Sequence, residues 1–431
     1  MSQQSLHRKL IIDRFGQRAE GIARDEGGVI YVPHALAGET VIAEVDGERG
    51  RLVEVVEASP DRVPAFCSYY GTCGGCAIQV LAPAAYATWK RGLVAGALTH
   101  AKLDVPLGDL IDAHGAGRRR ATFHARFTRD ALGRLHREVG FMQARAHQIV
   151  DIESCPILDP AMAGAIEAAR SVAKSLATLL KPLDMVVTAT NEGLDLDFRG
   201  TGDLDFRHQQ ALIELADRID LARISNHGRV VIERRPPVID MGRAKVVVPP
   251  GTFLQATAEG EATLARLVTE AMGKATKVAD LYAGVGTFTH RLAEKAEVHA
   301  VESDAPALKA LERAAHNTPG LRTVTTECRD LARRPLMGAE LNRFEAVVCD
   351  PPRAGAEEQM RALAASTVQV VASVSCNAQT FARDAAILIA GGYACEGVTP
   401  VDQFRHSLHV ELVGTFRRAK QKSAKRRNLL G

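Results

Sequence analysis

The sequence predicts an α/β protein: a doubly wound parallel sheet forms the C-terminal part, after a small β-barrel and a central α+β domain. Strand-like and helix-like segments alternate from about residue 250 onwards, as in a parallel sheet with helical crossovers. Short β-rich runs separated by turns fill residues 8–58, and a less regular mixture follows. We therefore expect domains at 1–58, 59–250 and 251–416, and a basic tail at 417–431.

The N-terminal segment is predicted to form a barrel of the oligonucleotide-binding sort. Its runs LIIDRFG, GVIYVP, TVIAEVDGERG and RLVEVVEAS are strand-like, and Gly27-Gly28 and Asp46-Gly47 are hairpin signals. Five such strands can close into a small barrel. On pattern alone, a β-subdomain of another kind explains these runs about as well.

The central segment combines helices with strands. We expect helices at Pro83–Lys102 and Ala161–Leu180, and a hairpin that turns around Ala131, Leu132 and Gly133. The runs LDLDFRG and RVVIERR indicate further strands. An α+β domain follows from this mixture.

The C-terminal segment carries the parallel sheet. Helices are predicted at Thr287–Lys295 and Ala305–Asn317 between the strand candidates KVADLY, EVHAVE, RTVTTE, EAVVCD and QVVASVS. The runs GYACEGVTPVD and HSLHVELVGTFRR would add a final hairpin, and the chain after Phe416 is expected to be disordered.

Composition indicates an ordinary cytoplasmic protein. Hydrophobic residues make up 46% of the 431 residues, the net charge is +3, and no segment has the length and apolarity of a membrane helix or a secretion signal. Because the cytosol keeps thiols reduced, the eight cysteines are not expected to form disulfides. The basic runs Arg118–Arg120 and Arg417–Arg427 are either solvated surface, which is the commoner origin, or a polyanion-binding surface.

A glycine turn after the first strand of the sheet predicts a cofactor pocket. In DLYAGVGTF, Gly284 and Gly286 let the backbone approach a ligand. Glu302 ends the next strand, where an acid can grip a ribose diol. Thr289 replaces the third glycine of a dinucleotide fingerprint. This combination favours S-adenosylmethionine over NAD, with a simple tight turn as the alternative.

Two more acids end strands of the sheet. Asp330 is either an acceptor for an adenine amino group or a solvated loop acid, since its position fits both. Asp350 precedes two prolines in CDPPRAG, which makes a rigid acidic lip.

A cysteine and a glutamate are the candidate reacting groups. Cys376 follows a buried-strand pattern and precedes a helix, whose N-terminus would favour a thiolate. Glu411 lies in the apolar run HVELVGTF, where a buried carboxylate would have a raised pKa suited to a general base. By strand alternation, Val410 and Leu412 would instead be the buried residues and Glu411 would face solvent.

These motifs together resemble the RNA uracil-5-methyltransferase family over nearly the whole chain. DPPRAG, SCN before a helix, and H-x-x-H-V-E stand in the family's order and spacing. The barrel is similar to the TRAM domain of one branch, and the branch that makes 5-methyluridine in bacterial 23S rRNA is the most similar. The resemblance implies a Rossmann-like class I methyltransferase domain.

The resemblance also implies residue roles. Cys376 would attack C6 of uracil, Glu411 would remove the C5 proton, and Phe253 would stack on the target base. Ala378 replaces the proline that usually follows SCN, and Thr287 replaces an asparagine common after G-x-G, so that turn and one cofactor contact depart from the family. The residues implied in binding S-adenosylmethionine or the reacting centre are Gln255, Tyr282, Gly284, Gly286, Thr287, Glu302, Asp330 and Asp350.

Four cysteines match the iron–sulfur ligands of that branch: Cys67, Cys73, Cys76 and Cys155. By their own chemistry, four thiolates suit zinc or an iron–sulfur cluster. One triplet with one distant cysteine fits a [4Fe–4S] cluster better than zinc, which favours paired C-x-x-C motifs.

RNA is the expected partner, and no obligate protein partner is inferred, so a monomer is expected. The target uracil must be single-stranded or flipped out, and Arg118, Arg119 and Arg120 would hold phosphates together with the barrel and tail. Within this interpretation tRNA is the alternative to 23S rRNA. A small-molecule methyltransferase would not need the barrel or basic runs, and a non-catalytic RNA-binding relative would be expected to lack the cysteine or glutamate.

Overall fold

The computed structural model describes residues 6–144 and 146–418. The N-terminal segment is a closed five-stranded barrel with the strand order β1-β2-β3-β5-β4. Its interior is filled by a compact group of aliphatic side chains, among them Leu10, Ile12, Val32 and Val41. The barrel strands are β1 (Leu6–Phe15), β2 (Glu20–Asp25), β3 (Gly28–Pro33), β4 (Thr40–Asp46) and β5 (Arg49–Glu57). The predicted barrel is confirmed.

The middle of the chain builds a seven-stranded sheet with the order β13-β12-β11-β10-β7-β8-β9. Two helices, α2 and α3, pack on it and close its core. The elements here are α1 (Pro83–His100), β6 (Ile111–Asp112), β7 (Arg120–Arg129), β8 (Leu135–Met142), β9 (Ile149–Asp151), α2 (Ala165–Ser175), β10 (Leu183–Thr190), β11 (Gly193–Arg199), α3 (Phe206–Arg218), β12 (Arg223–Asn226), β13 (Arg229–Glu233), β14 (Val238–Met241) and β15 (Ala244–Val247).

The C-terminal part is an eight-stranded sheet with the order β18-β17-β16-β19-β20-β22-β21-β6. Strands β16 to β20 are parallel, and the β21–β22 hairpin pairs antiparallel to β20. The elements are α4 (Ala258–Met272), β16 (Lys277–Leu281), α5 (Thr289–Leu292), β17 (Glu297–Glu302), α6 (Ala305–His316), β18 (Val324–Cys328), α7 (Gly338–Leu341), β19 (Ala346–Cys349), α8 (Glu357–Ala364), β20 (Val370–Ser375), α9 (Ala378–Ala390), β21 (Tyr393–Asp402) and β22 (Glu411–Arg418).

Both faces of this sheet are buried, as a parallel sheet requires. Helices α1, α8 and α9 cover one face, and α4 and α5 cover the other. All six residues of β20 are buried, which explains the unbroken apolar run in its sequence. Helix α1 packs on this sheet and strand β6 pairs with its edge strand β21, although both precede the central sheet in the chain. The predicted boundary at residue 250 therefore does not separate the two cores completely.

Several predicted bounds differ from the structure. The single helix expected at 161–180 is interrupted, with 3₁₀ turns at Pro160–Met162 and Ala177–Leu179 on either side of α2. Gly164, at φ 83°, breaks the helical path before α2 begins. The helix expected at 287–295 is only the short α5.

The last strand extends past the predicted start of the tail. Arg417 pairs with Val370, and the Arg418 guanidinium lies over the Tyr393 ring and donates to the carbonyls of Ala364 and Ser366. These contacts order the backbone to Arg418, and the rest of the predicted tail lies outside the described residues. Among the described helices, none combines the length and apolarity needed to cross a bilayer.

Candidate active site

The candidate reacting groups meet at the carboxyl edge of the C-terminal sheet. Asp350 follows β19, Cys376 follows β20, and Glu411 begins β22. Ser375 pairs with Leu412 in the antiparallel β20–β22 ladder, so the next step of the register brings Cys376 and Glu411 side by side. Strand order thus places together three residues that are far apart in sequence.

Glu411 is buried, with 4% of its surface exposed, and both neighbours Val410 and Leu412 are buried too. The solvent-facing alternative from strand alternation is therefore wrong, because the strand end is covered on both sides. Burial and the nearby Asp350 carboxyl raise the pKa of Glu411 to about 8, against a hydrogen bond from Gln403 that lowers it. A carboxyl with such a pKa exchanges protons near neutral pH.

Asp350 is the second carboxyl of this edge. Desolvation raises its pKa to about 7. Its Oδ2 accepts from Nε2 of Gln255 at 3.3 Å, and its backbone N–H continues the sheet by donating to Leu281. One hydrogen bond therefore holds the side chain of Asp350 and another holds its backbone.

Gln403, together with Gln255, connects these two carboxyls, and no sequence pattern marks it. Its Nε2 lies 2.6 Å from Oε1 of Gln255 and 3.2 Å from Oε1 of Glu411. It lies at the end of β21, eight residues before Glu411, at a position without periodicity or motif spacing to mark it. The structure therefore adds one residue to the predicted set.

The Cys376 thiol is half-buried and, contrary to expectation, is not favoured as a thiolate. Burial, then the carboxyls of Glu411 and Asp350, raise its pKa to about 11, while Arg353 acts in the opposite direction. Asn377 caps α9, and its Oδ1 accepts from the N–H groups of Gln379 and Thr380. The cap thus takes up two N–H groups of the helix N-terminus, and burial remains the main influence on the pKa of the thiol.

The glycine turn lies at the end of β16. Gly284 has φ 55° and open space where a Cβ would stand, and its N–H donates to Oε2 of Glu302 at 3.0 Å. The other oxygen of Glu302 accepts from the N–H groups of Ser303 and Asp304. At Gly286, φ is 99° and a Cβ would lie 2.5 Å from Nε2 of His290. The turn thus has open space beside Gly284 and the Glu302 carboxylate fixed next to it.

Three further predicted cofactor residues are Tyr282 and Thr287, which flank the turn in sequence, and Asp330. Tyr282 takes a left-handed backbone conformation with φ 63°. The Thr287 carbonyl accepts from Arg291. Asp330 is exposed, accepts from the N–H of Ala332 and lies 3.4 Å from Arg333.

Comparison with known proteins identifies the relatives of this chain. No family model matches it. An uncharacterised RNA methyltransferase of Brucella suis is 45% identical over 413 residues, which covers 96% of this chain and 98% of the relative. The 23S rRNA (uracil(1939)-C(5))-methyltransferase RlmD of Chromohalobacter salexigens is 33% identical, covering 93% of this chain and 87% of the relative.

This chain belongs to the RNA methyltransferase family that includes RlmD. Among solved structures, tRNA (uracil-54, C5)-methyltransferase of Pyrococcus abyssi with S-adenosyl-L-homocysteine is 22% identical, has a TM-score of 0.70 and covers 95% of this chain and 100% of its own. That likeness shows the class I methyltransferase fold. The fold and the family implied by the sequence motifs are confirmed.

The methyltransferase gathers four cysteines around one cavity of about 520 Å³. Burial raises the pKa of Cys76 to about 11 and also raises the pKa of Cys73 and Cys155. Within residues 6–144 and 146–418, no three His, Cys, Asp or Glu side chains are arranged to hold a metal ion. The four thiols that line the cavity are Cys67, Cys73, Cys76 and Cys155, all unpaired.

The three consecutive arginines of the methyltransferase have different surroundings. Arg119 is buried, lies 2.5 Å from Oε2 of Glu261, and donates to the Gln255 carbonyl, so it is not placed for a phosphate as expected. Burial of this side chain follows from its position between the central sheet and α4. Arg118 and Arg120 line the thiol cavity, and Arg118 lies over the Phe404 ring. Phe253 lines the same cavity and is 67% exposed.

Proposed function

We propose that this enzyme methylates C5 of a uracil in RNA with S-adenosylmethionine as the donor. The single observation that carries the proposal is the proximity of Cys376 and Glu411, one residue beyond the last β20–β22 pair Ser375–Leu412, beside a second carboxyl, Asp350. A thiol and a carboxylate base are the groups needed to activate and then deprotonate one carbon of a pyrimidine. Relatives named as RNA methyltransferases support the substrate class.

The methyl donor would occupy the open space beside Gly284 at the glycine turn. S-adenosylmethionine supplies a methyl group on a positively charged sulfur. Open space at Gly284 and the fixed carboxylate of Glu302 fit the adenosine part of such a molecule. We assign to binding this molecule or the reacting centre the full set Gln255, Tyr282, Gly284, Gly286, Thr287, Glu302, Asp330 and Asp350.

The chain's own residues then divide the reaction into proton and bond steps. Sγ of Cys376 bonds to C6 while its proton passes to Asp350, and the C5–C6 double bond opens to leave an electron pair at C5. C5 uses this pair to take the methyl group, whose bond to the donor's sulfur breaks so that the sulfur departs as a neutral thioether. Glu411 then removes the C5 proton, and the electron pair of the broken C5–H bond restores the double bond as Cys376 leaves as a thiolate. The proton held by Asp350 returns to that thiolate. The raised pKa values of both carboxyls suit these proton transfers near neutral pH.

The test uses the two reacting residues. Cys376→Ala should abolish methylation and leave RNA binding within about two-fold, because a methyl-sized side chain leaves the RNA surface unchanged. Glu411→Gln should accumulate a covalent protein–RNA adduct that survives denaturing gels, since methylation precedes deprotonation. The double variant should form none. Normal turnover by Glu411→Gln would show that Glu411 is not the base.

RNA contacts would come from the surface around the thiol cavity. Phe253 would stack on the target base, and Arg118 and Arg120 would approach phosphates. We take 23S rRNA as the target, as for the RlmD relative, and a monomeric enzyme acting in the cytoplasm. Mapping 5-methyluridine in rRNA and tRNA of a deletion strain, complemented with wild type or Cys376→Ala, decides the target: loss of a tRNA site alone would reject the rRNA assignment.

The thiol cavity is proposed to hold a [4Fe–4S] cluster. The support is that four free thiols from two segments line one cavity and that thiolates are the ligands such a cluster takes; among the described residues they are not arranged to hold a single metal ion. Protein purified without oxygen should be brown and contain iron and sulfide in equal amounts, and Cys76→Ser should lower both. Colourless protein with stoichiometric zinc would overturn the assignment.

A further inference from the structure

Gln403 is a fully buried amide whose hydrogen-bonding groups are all used inside the site. It is 0% exposed. Its Oε1 accepts from the backbone N–H of Ala256 at 2.8 Å, and its Nε2 reaches Gln255 at 2.6 Å and Glu411 at 3.2 Å. An amide nitrogen carries two hydrogens, so each of these neighbours receives one.

The backbone N–H of Ala256 fixes the direction of this chain of hydrogen bonds. A backbone N–H only donates, so it must face the carbonyl oxygen of the Gln403 side chain, which turns Nε2 towards the other two partners. The Gln255 oxygen then has to accept. Its own nitrogen is left facing Asp350, at 3.3 Å. One backbone group therefore sets two side-chain amides between the two carboxyls.

A glycine in α4 makes room for this arrangement. Gly260 lies in the first turn of α4, although glycine is a poorer helix former than alanine. A Cβ at this position would stand 2.6 Å from Cβ and 2.7 Å from Oε1 of Gln403. The helix thus leaves space at the one point where the buried amide needs it.

We infer that Gln403 is a positioning residue for methyl transfer, which aims the Glu411 carboxylate at the C5 proton and holds the Gln255 amide towards Asp350. This role rests on the proposed function. A donor to Glu411 stabilises its ionised form, the form that acts as a base. The other ionisable groups acting on Glu411 and its neighbour Cys376 are Asp350 and Arg353. The Lys90–Asp402 ion pair lies at the end of β21, next to the connection that leads to Glu411.

The experiment compares Gln403→Leu with Gln359→Leu. Gln359 is an equally buried glutamine, in α8, whose amide bonds only to the backbone of Leu336. Gln403→Leu should lower kcat about 10- to 100-fold, the scale of a misplaced reacting group, with KM for RNA changed less than about two-fold. The acid limb of its kcat–pH profile should move to higher pH, because Glu411 loses a donor to its ionised form. Gln359→Leu should lose about as much thermal stability as Gln403→Leu but keep the wild-type kcat and pH profile.

A second variant reaches the same amide indirectly. Gly260→Ala keeps Gln403 and pushes its side chain, so it should lower kcat and shift the acid limb in the same direction. If Gln403→Leu folds and keeps both the kcat and the acid limb of wild type, the positioning role is wrong. That result is distinct from failure of the proposed function, which is read from adduct trapping by Glu411→Gln and from the inactivity of Cys376→Ala.

Discussion

At the scale of single residues, the site is defined by three acids that compete for ionisation. Asp350 and Glu411 have pKa values raised to about 7 and about 8, and that of Cys376 is raised to about 11. Each lies in a desolvated place, and each negative charge makes the next one harder to form. At neutral pH, Asp350 and Glu411 are therefore protonated to a larger extent than exposed carboxyls would be.

The raised pKa of Glu411 predicts how stability depends on pH. Its folded value, about 8, is above its ordinary value of 4.5, so between these the unfolded chain ionises while the folded chain keeps the proton. Stability therefore falls as pH rises through that window. Glu411→Gln removes this titration and should be more stable than wild type at pH 9 by at least about 1 kcal/mol, roughly 1 °C or more in Tm for a chain of 431 residues.

Calorimetry at pH 5 and pH 9 measures this difference. The exposed Glu358 in α8 provides the control, since Glu358→Gln should leave the pH dependence of Tm unchanged. Parallel Tm curves for wild type and Glu411→Gln would show that Glu411 is already ionised in the folded enzyme.

At the scale of elements, the connection from β21 to β22 is fastened to α1. Lys90 of α1 is fully buried; its Nζ lies 2.8 Å from Asp402 and 3.2 Å from the Phe404 carbonyl, and it also donates to the His409 carbonyl. The Tyr86 hydroxyl donates to the other oxygen of Asp402 at 2.8 Å. A helix from the first quarter of the chain thereby fixes the loop that delivers Glu411.

Breaking this buried ion pair should loosen that loop and the fold. Lys90→Met leaves the Asp402 charge without its cation and should destabilise the protein by about 3–5 kcal/mol. Adding Asp402→Asn removes the stranded charge and should recover part of that loss. Urea denaturation of the single and double variants measures both, and a loss below about 1 kcal/mol for Lys90→Met would contradict the pairing.

At the scale of the whole molecule, buried charges join the central sheet to the C-terminal sheet. Glu261 of α4 accepts from Arg119, just before β7, at 2.5 Å, and from Arg291 at 2.9 Å. Arg119 also donates to the Gln255 carbonyl, so this junction adjoins the active site. The adjacent Arg118 instead lines the cavity that Phe253 shares. Of these two neighbouring arginines, Arg119 therefore stabilises the fold and Arg118 lines the cavity.

RNA binding at several salt concentrations separates these roles. Arg118→Gln should weaken binding and reduce the slope of log affinity against log salt by about one, because one phosphate contact is lost. Arg119→Met should keep the slope but lower stability by roughly 1.5–3 kcal/mol, the value of a hydrogen bond to a charged group. A lower slope for Arg119→Met with unchanged stability would reverse the assignment.

The sequence by itself determined the short N-terminal strands, the alternating sheet and the motif residues, because hydrophobic period, glycine turns and strand-end acids are local patterns. It left open whether the N-terminal strands close into a barrel, which the structure shows they do. It predicted Glu411 in an apolar strand but left its exposure open, since burial depends on which elements cover the strand end. Only the tertiary structure showed that Arg119 is internal and that Asn377 satisfies the helix donors near Cys376. Gln403 belongs to the same class: its partners Ala256, just before α4, and Glu411, at the start of β22, are brought together by the tertiary fold, and proximity between distant segments leaves no local pattern in the chain.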